Sequence, residues 1–184
     1  AFVEDTLAKA PEKEAAKPQN VTTQAGSKSV LLQWDTMANV TGYKVYYGTT
    51  QNGMTSSATT ESNQISIGGL DNLQKYYFAV VGTSGEWESG LSQIVSAIPM
   101  PDSKPVAPTA LKIEPMDAAL RFGWGKTENA TGYTVYYRQK GTTDWTAKDV
   151  KDATSLTVGN LENGTTYEFC VDAYNTVGTS PRSV

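Results

Sequence analysis

The sequence predicts an all-β chain built as two seven-stranded β-sandwiches in tandem, and three observations predict it. The hexapeptide Gly42-Tyr43-Lys44-Val45-Tyr46-Tyr47 returns as Gly132-Tyr133-Thr134-Val135-Tyr136-Tyr137. Each copy alternates large residues with the period of two that marks a strand with one face on a core. A tryptophan, Trp34 or Trp124, precedes each copy at the same spacing. Past Lys17 no apolar stripe keeps the helical period; short alternating runs are parted at even intervals by Gly, Asn and Pro, as in an all-β array. Each strand has one apolar face to bury, and two facing sheets bury it.

The elements follow in order. Residues 1–17 belong to neither copy; Ala, Glu and Lys favour a helical turn that Pro11 interrupts, and Phe2, Val3 and Leu7 are placed to meet an upstream domain. The first sandwich spans 18–100 and the second 108–184. They open at Pro18-Gln19-Asn20-Val21 and Pro108-Thr109-Ala110-Leu111, since Pro suits the lip of an edge strand. Val30 to Trp34 and Leu120 to Trp124 come next, pointing Leu32, Trp34, Phe122 and Trp124 inward. In the organising strands Tyr43, Val45 and Tyr47 face in with Tyr133, Val135 and Tyr137, while Lys44 and Tyr46 face out. The middle portions 48–63 and 139–154 differ most, and lead to Ile65-Ser66-Ile67 and Leu156-Thr157-Val158. Tyr76-x-Phe78-x-Val80 then matches Tyr167-x-Phe169-x-Val171. Between the copies, residues 101–107 form a Pro-rich linker with Pro99 and Met100, which predicts an extended, semi-rigid spacer.

Composition narrows the chemistry. A net charge of −4 and a pI near 4.9 exclude the basic stripe a nucleic-acid surface needs, and equally an anionic lipid partner. No apolar run reaches membrane-spanning length. The first residues lack a signal peptide's basic start and apolar core, so the chain reads as a piece of something longer. Histidine is absent, which removes the commonest general base and metal ligand. Cys170, the one cysteine, is expected as a surface thiol between Glu168 and Asp172, whose charges raise its pKa. Asp149/Asp152 and Glu86/Glu88 read as solvated acids, and neither a calcium loop nor a phosphate-cradling glycine loop occurs. The segment is therefore expected to be non-catalytic, with no cofactor and no metal.

Trp34 and Trp124, the Gly-Tyr-x-Val-x-Tyr strand, and Leu-x5-Tyr running into Tyr-x-Phe-x-Val together resemble fibronectin type III domains, over nearly all of Pro18 to Val184. The resemblance implies a core tryptophan on the second strand, and Tyr76 and Tyr167 each closing a corner by a hydrogen bond to upstream backbone. It also implies that Trp145 lies flat over an outer sheet face. Gln74 departs from the family's usual Pro or Gly before the corner. The second copy ends early, because Ser180 aligns with Ser89 and residues matching Ile94 to Ile98 do not follow Val184. Its last strand is thus expected to be short or supplied by downstream chain. The phrase Gly-Tyr-Lys-Val-Tyr-Tyr-Gly-Thr-Thr is similar to copies attached to secreted bacterial glycoside hydrolases, which implies a parent protein acting on polysaccharide outside the cell. An adhesion or receptor ectodomain is the alternative, although no Arg-Gly-Asp stands in the loop 175–178.

The candidate interaction surface comes from the outward residues of the first copy. Tyr46, Tyr77, Ala79 and Val81 share a sheet face, with Trp87 at its end, and exposed apolar patches mark contacts. Three readings stay open: contact with a protein, such as a neighbouring domain of the parent chain; sugar stacking on Tyr46, Tyr77 or Trp87; or plain aromatic decoration under Lys44 and the 48–63 loop. Four Asn-x-Thr sequons, at Asn20, Asn39, Asn129 and Asn163, are glycosylation acceptors in a eukaryotic secreted protein and chance products of Asn/Thr-rich turns in a bacterial one.

Overall fold

The structure, a computed structural model, describes residues 16–184, and the expected N-terminal helical turn and the apolar Phe2, Val3 and Leu7 fall outside them. Every regular element among the described residues is a strand, and the chain divides into two compact units at Pro99/Met100.

The first unit holds β1 (Thr22–Gly26), β2 (Ser29–Gln33), β3 (Gly42–Gly48), β4 (Ser56–Thr60), β5 (Gln64–Gly68), β6 (Tyr76–Ser84), β7 (Trp87–Glu88) and β8 (Val95–Ala97). One sheet runs β1-β2-β5 and the other β4-β3-β6-β7, with β8 also on β6. β7 and β8 are therefore two pieces of one interrupted last strand, which reconciles these segments with seven strand positions. The second unit repeats the plan as β9 (Lys112–Met116), β10 (Ala119–Gly123), β11 (Gly132–Gln139), β12 (Thr146–Lys151), β13 (Ser155–Gly159) and β14 (Tyr167–Tyr174), in sheets β13-β10-β9 and β12-β11-β14. A bridge from Tyr174 to Thr179 takes the place of β7. The first strand of each unit starts at Thr22 and Lys112, just beyond the Pro-led stretches expected to open them.

The period-two reading of the organising strands holds. Tyr43 and Val45, like Tyr133 and Val135, are buried, and each tryptophan leans on the first tyrosine: Trp34 lies 5.2 Å from Tyr43 and Trp124 5.6 Å from Tyr133, both steeply tilted. The tyrosine hydroxyls tie the preceding loops, accepting the Met37 N–H at 2.8 Å and the Thr127 N–H at 2.7 Å. Both corners close as well, with Tyr76 Oη accepting the Asp71 N–H at 3.1 Å and Tyr167 Oη the Glu162 N–H at 3.2 Å. The departure expected at Gln74 sits one residue earlier. Leu73 takes a left-handed φ of 66°, where the second unit has Gly164 at 81°. The corner thus tolerates Gln74, and the backbone strain falls on a leucine that has a Cβ where glycine has none.

The two cores are not equally closed. Val95 and Ala97 on β8 pack against the first core, where Phe78 is wholly buried and Tyr76 nearly so. In the second unit Tyr167 and Phe169, at the matching positions, stay partly exposed.

Candidate functional site

The repeated motif Ser-x-x-Ser builds the edge on which both outer faces rest. In the first unit Ser89 donates its N–H to Gly82 O and accepts the Gly82 N–H on Oγ at 2.8 Å. Ser92 does the same for Val80, accepting its N–H at 2.9 Å. In the second unit Ser180 serves Ala173 and Ser183 serves Val171, each accepting at 3.0 Å. Each serine satisfies both backbone groups of one strand residue, its hydroxyl standing in for a partner carbonyl. Buried N–H groups need an acceptor, so the device lets the last strand step past β6 and β14 without a regular ladder. Sequence reasoning aligned Ser89 with Ser180 but missed this role; the signal was the motif's recurrence, Ser89-Gly90-Leu91-Ser92 and Ser180-Pro181-Arg182-Ser183.

On the first unit's outer face, Tyr46 stands opposite Ala79, Lys44 opposite Val81 and Gly48 opposite Tyr77. Tyr46, Tyr77 and Val81 do share this face, but Val81 is only 2% exposed and Ala79 0%, which corrects the expectation of an open apolar patch. A small polar lattice helps cover it. Tyr46 Oη donates to Glu88 Oε2 at 2.8 Å, Lys44 Nζ reaches Glu88 Oε1 at 3.1 Å, and that ammonium also lies 4.6 Å from the Tyr46 ring centre. The Tyr46 hydroxyl first, and Lys44 next, hold the Glu88 carboxyl below its usual range. Lys75 sits 5.1 Å from the Tyr77 ring centre. Glu88, and not Trp87, is the β7 residue on this face; Trp87 alternates to the other side of the ribbon and is 51% exposed. What stays open is a cleft of about 370 Å³ lined by Tyr46, Gln51, Asn52, Met54, Val81, Glu88, Ser89 and Leu91, with Leu91 as exposed as Trp87. Its size falls in the range of ligand pockets.

The matching face of the second unit is filled. Arg182 stacks 3.7 Å from the Tyr136 ring centre, and Arg138 lies 4.3 Å from that of Trp145 while gripping Glu168 at 2.7 Å. Trp145 therefore packs with cations over the sheet. Cys170 and Asp172 beneath are 8% and 5% exposed, so the expected surface thiol is a buried one. Burial, not the neighbouring carboxylates, leads in pushing the Cys170 thiol up; Arg182 pulls against the shift and Asp172 adds to it. Burial and then the hydrogen bond with Asp172 raise the Tyr136 hydroxyl, Arg182 opposing. Asp172 Oδ1 meets no hydrogen-bond partner among the described residues.

The remaining singled-out residues hold loops. Asn39 and Asn129 adopt left-handed φ of 63° and 62°, which asparagine tolerates. Thr41 and Thr131 then direct both backbone N–H and hydroxyl at one carbonyl, of Thr83 and of Tyr174. Asn20 donates to Asp35 and Asn163 to Asp117, so all four sequons have a visible structural use for their Asn or Thr. Asp149 is bound by Lys151 and by the Tyr174 hydroxyl, which holds its pKa near 2. Among the described residues no three His, Cys, Asp or Glu side chains gather as a metal site would need, and no helix is long and apolar enough to cross a membrane.

Comparison with known proteins accords with this architecture. The chain is 25% identical over 166 residues to a Kelch domain-containing protein of Saccharolobus solfataricus, covering 89% of this chain and 23% of that one. It is 27% identical over 194 aligned positions to Protein turtle of Drosophila melanogaster, covering 96% of this chain and 12% of that one. It thus spans less than a quarter of the curated relatives it matches. Among solved structures, a two fibronectin type III domain segment from chicken tenascin aligns at 15% identity and a TM-score of 0.46, over 91% of this chain and 97% of that one. The profile of the fibronectin type III domain matches residues 16–98 and again 106–184, and with the paired sandwiches this makes the chain a tandem member of the fibronectin type III family.

Proposed function

We propose that this chain is a non-catalytic interaction and spacing module of a larger secreted or cell-surface protein, and that it makes contact through the outer sheet face of the first sandwich. One observation carries the reading. The second copy covers this face with its own Arg138, Trp145 and Arg182, whereas the first leaves a cleft over Val81 beside the exposed Leu91. Exposed apolar surface next to a defined cleft marks a contact site more often than a bare sheet does. The small share of its relatives that the chain spans agrees with a module inside a longer protein. The partner class is a protein, a neighbouring domain of the parent chain first. A parent that acts on polysaccharide, as bacterial glycoside hydrolases do, is the finer form of the proposal and rests on the likeness of the phrase 42–50. The exposed Trp87 favours a second reading, an adhesion segment binding a separate protein or glycan.

The test is binding of the immobilised chain to domains flanking it in the parent and to protein and glycan arrays. Saturable binding that falls on Tyr46→Ala and Leu91→Ala supports the contact, whereas binding that falls on Trp87→Ala alone supports the second reading. Its absence throughout leaves spacing as the function.

A further inference from the structure

The two sandwiches are copies, so each shows what the other leaves out. Strand register matches the outer faces position by position: Tyr46 with Tyr136, Val81 with Asp172 and Gly48 with Arg138. The Ser-x-x-Ser segments match Leu91 with Arg182, and Thr55, just before β4, holds the place of Trp145, just before β12. Three large side chains that cover the second face are thus a threonine, a glycine and a leucine in the first. Over Gly48 itself the backbone of Gly53 and Met54 already stands, since a Cβ there would lie 2.2 Å from Gly53 O, and the open space lies beside it at Tyr46 and Val81.

The lining decides what fits. Leu91, Met54 and the Tyr46 ring line the cleft with apolar groups around Val81 at its floor, and the Met54 thioether suits an aromatic edge. The Glu88 carboxylate is already engaged by Tyr46 and Lys44, so an incoming cation finds its counter-charge taken and an ammonium beside it. Gln51 and Asn52 on the rim offer amide carbonyls to a ring N–H. Resting on the contact reading above, we infer that the cleft between Met54, Val81 and Leu91 receives an aromatic side chain, tryptophan above all, projecting from the partner protein into the place that Trp145 and Arg182 cover in the second copy. Buried aromatic anchors of this kind carry most of the energy of protein contacts.

The experiment follows the methyl signals of Met54, Val81 and Leu91 by NMR in the whole chain, titrated separately with N-acetyl-tryptophanamide, N-acetyl-argininamide and cellohexaose. Saturable shifts at those methyls with the tryptophan probe alone are expected. Leu91→Arg and Thr55→Trp, both at exposed positions, import the second copy's cover and should each weaken the probe about tenfold or more. The inference is overturned if the arginine or sugar probe moves those methyls instead, if the tryptophan shifts survive both substitutions, or if no probe binds. Partner binding that is lost on Tyr46→Ala while the tryptophan probe does nothing would sink the aromatic anchor and leave the contact reading standing.

Discussion

Replacing Ser92 by alanine isolates one hydroxyl that the fold uses as a carbonyl. Its Oγ accepts the Val80 N–H at 2.9 Å, and Val80 is fully buried on β6. Alanine keeps the backbone bond from Ser92 N–H to Val80 O but takes from the buried Val80 N–H its acceptor. A buried donor orphaned in this way costs about 1–3 kcal/mol. At about 4–8 °C per kcal/mol for a unit of this size, the first unit's melting temperature should fall by several degrees at the least. Ser89→Ala is the internal control. It removes the same bond from Gly82, where the site is only part-buried and water can take over, so it should cost under about 1 kcal/mol. Native-state hydrogen exchange reads the effect where it arises, with Val80 protection dropping roughly tenfold or more, and Ser92→Thr restoring most of it. Equal costs for Ser92→Ala and Ser89→Ala, or unchanged Val80 protection, would refute the assignment of the hydroxyl as a ladder acceptor.

The other expectations test separate parts of the structure. Gly164→Ala meets open space but a left-handed φ of 81°, so it should destabilise the second unit by about 1 kcal/mol, read by urea denaturation; no loss would mean that the corner relaxes at no cost. The Asp149 carboxyl is held near 2, first by the Lys151 side chain, then by its N–H and the Tyr174 hydroxyl. Because this folded value lies below the ordinary one of about 4, the stabilisation is complete above pH of about 4 and fades as pH falls through about 2. An NMR titration of Asp149 should show that midpoint, with Lys151→Gln moving it up. The buried Cys170 thiol should react with a disulfide reagent far more slowly in the native chain than in urea, and Arg182→Ala should speed the native reaction; equal rates in all three would contradict burial under Arg182.

Much of the fold was readable because it obeys local rules. Period-two alternation places Tyr43, Val45, Tyr133 and Val135 inside without knowledge of their neighbours, and the corner tyrosines announce themselves by spacing. Three readings went astray, two of them because a residue's exposure depends on partners far off in sequence. Val81 alternates outward as expected, yet it lies under side chains from β3 and from the segment after β7. Cys170 also alternates outward, and Arg182 closes over it from the far side of a loop. The third was the corner departure, placed at Gln74. The residue that matters is Leu73, because the geometry demands a left-handed residue one step earlier and an unaligned leucine gives no sign of it.

The same logic explains why two sandwiches cut to one plan present different surfaces. Inward positions are constrained from both sheets at once, so the copies keep tyrosine, valine and tryptophan there. An outward position answers only to what lies above it, and here that cover comes mainly from the residue just before the second serine and from the residue before the fourth strand. Arg182 and Trp145 cover the second face with cation–π contacts, which lets a carboxyl and a thiol sit beneath them. Leu91 and Thr55 are smaller, so the first face keeps a cleft at Val81, and its outward β6 residues Ala79 and Val81 are apolar where the second copy has Cys170 and Asp172. Three side chains outside the core therefore separate a sealed face from an open one; Gly48 admits no side chain, so Leu91→Arg together with Thr55→Trp is the substitution pair that should cover the first face in the manner of the second without disturbing Tyr43, Val45 or Trp34.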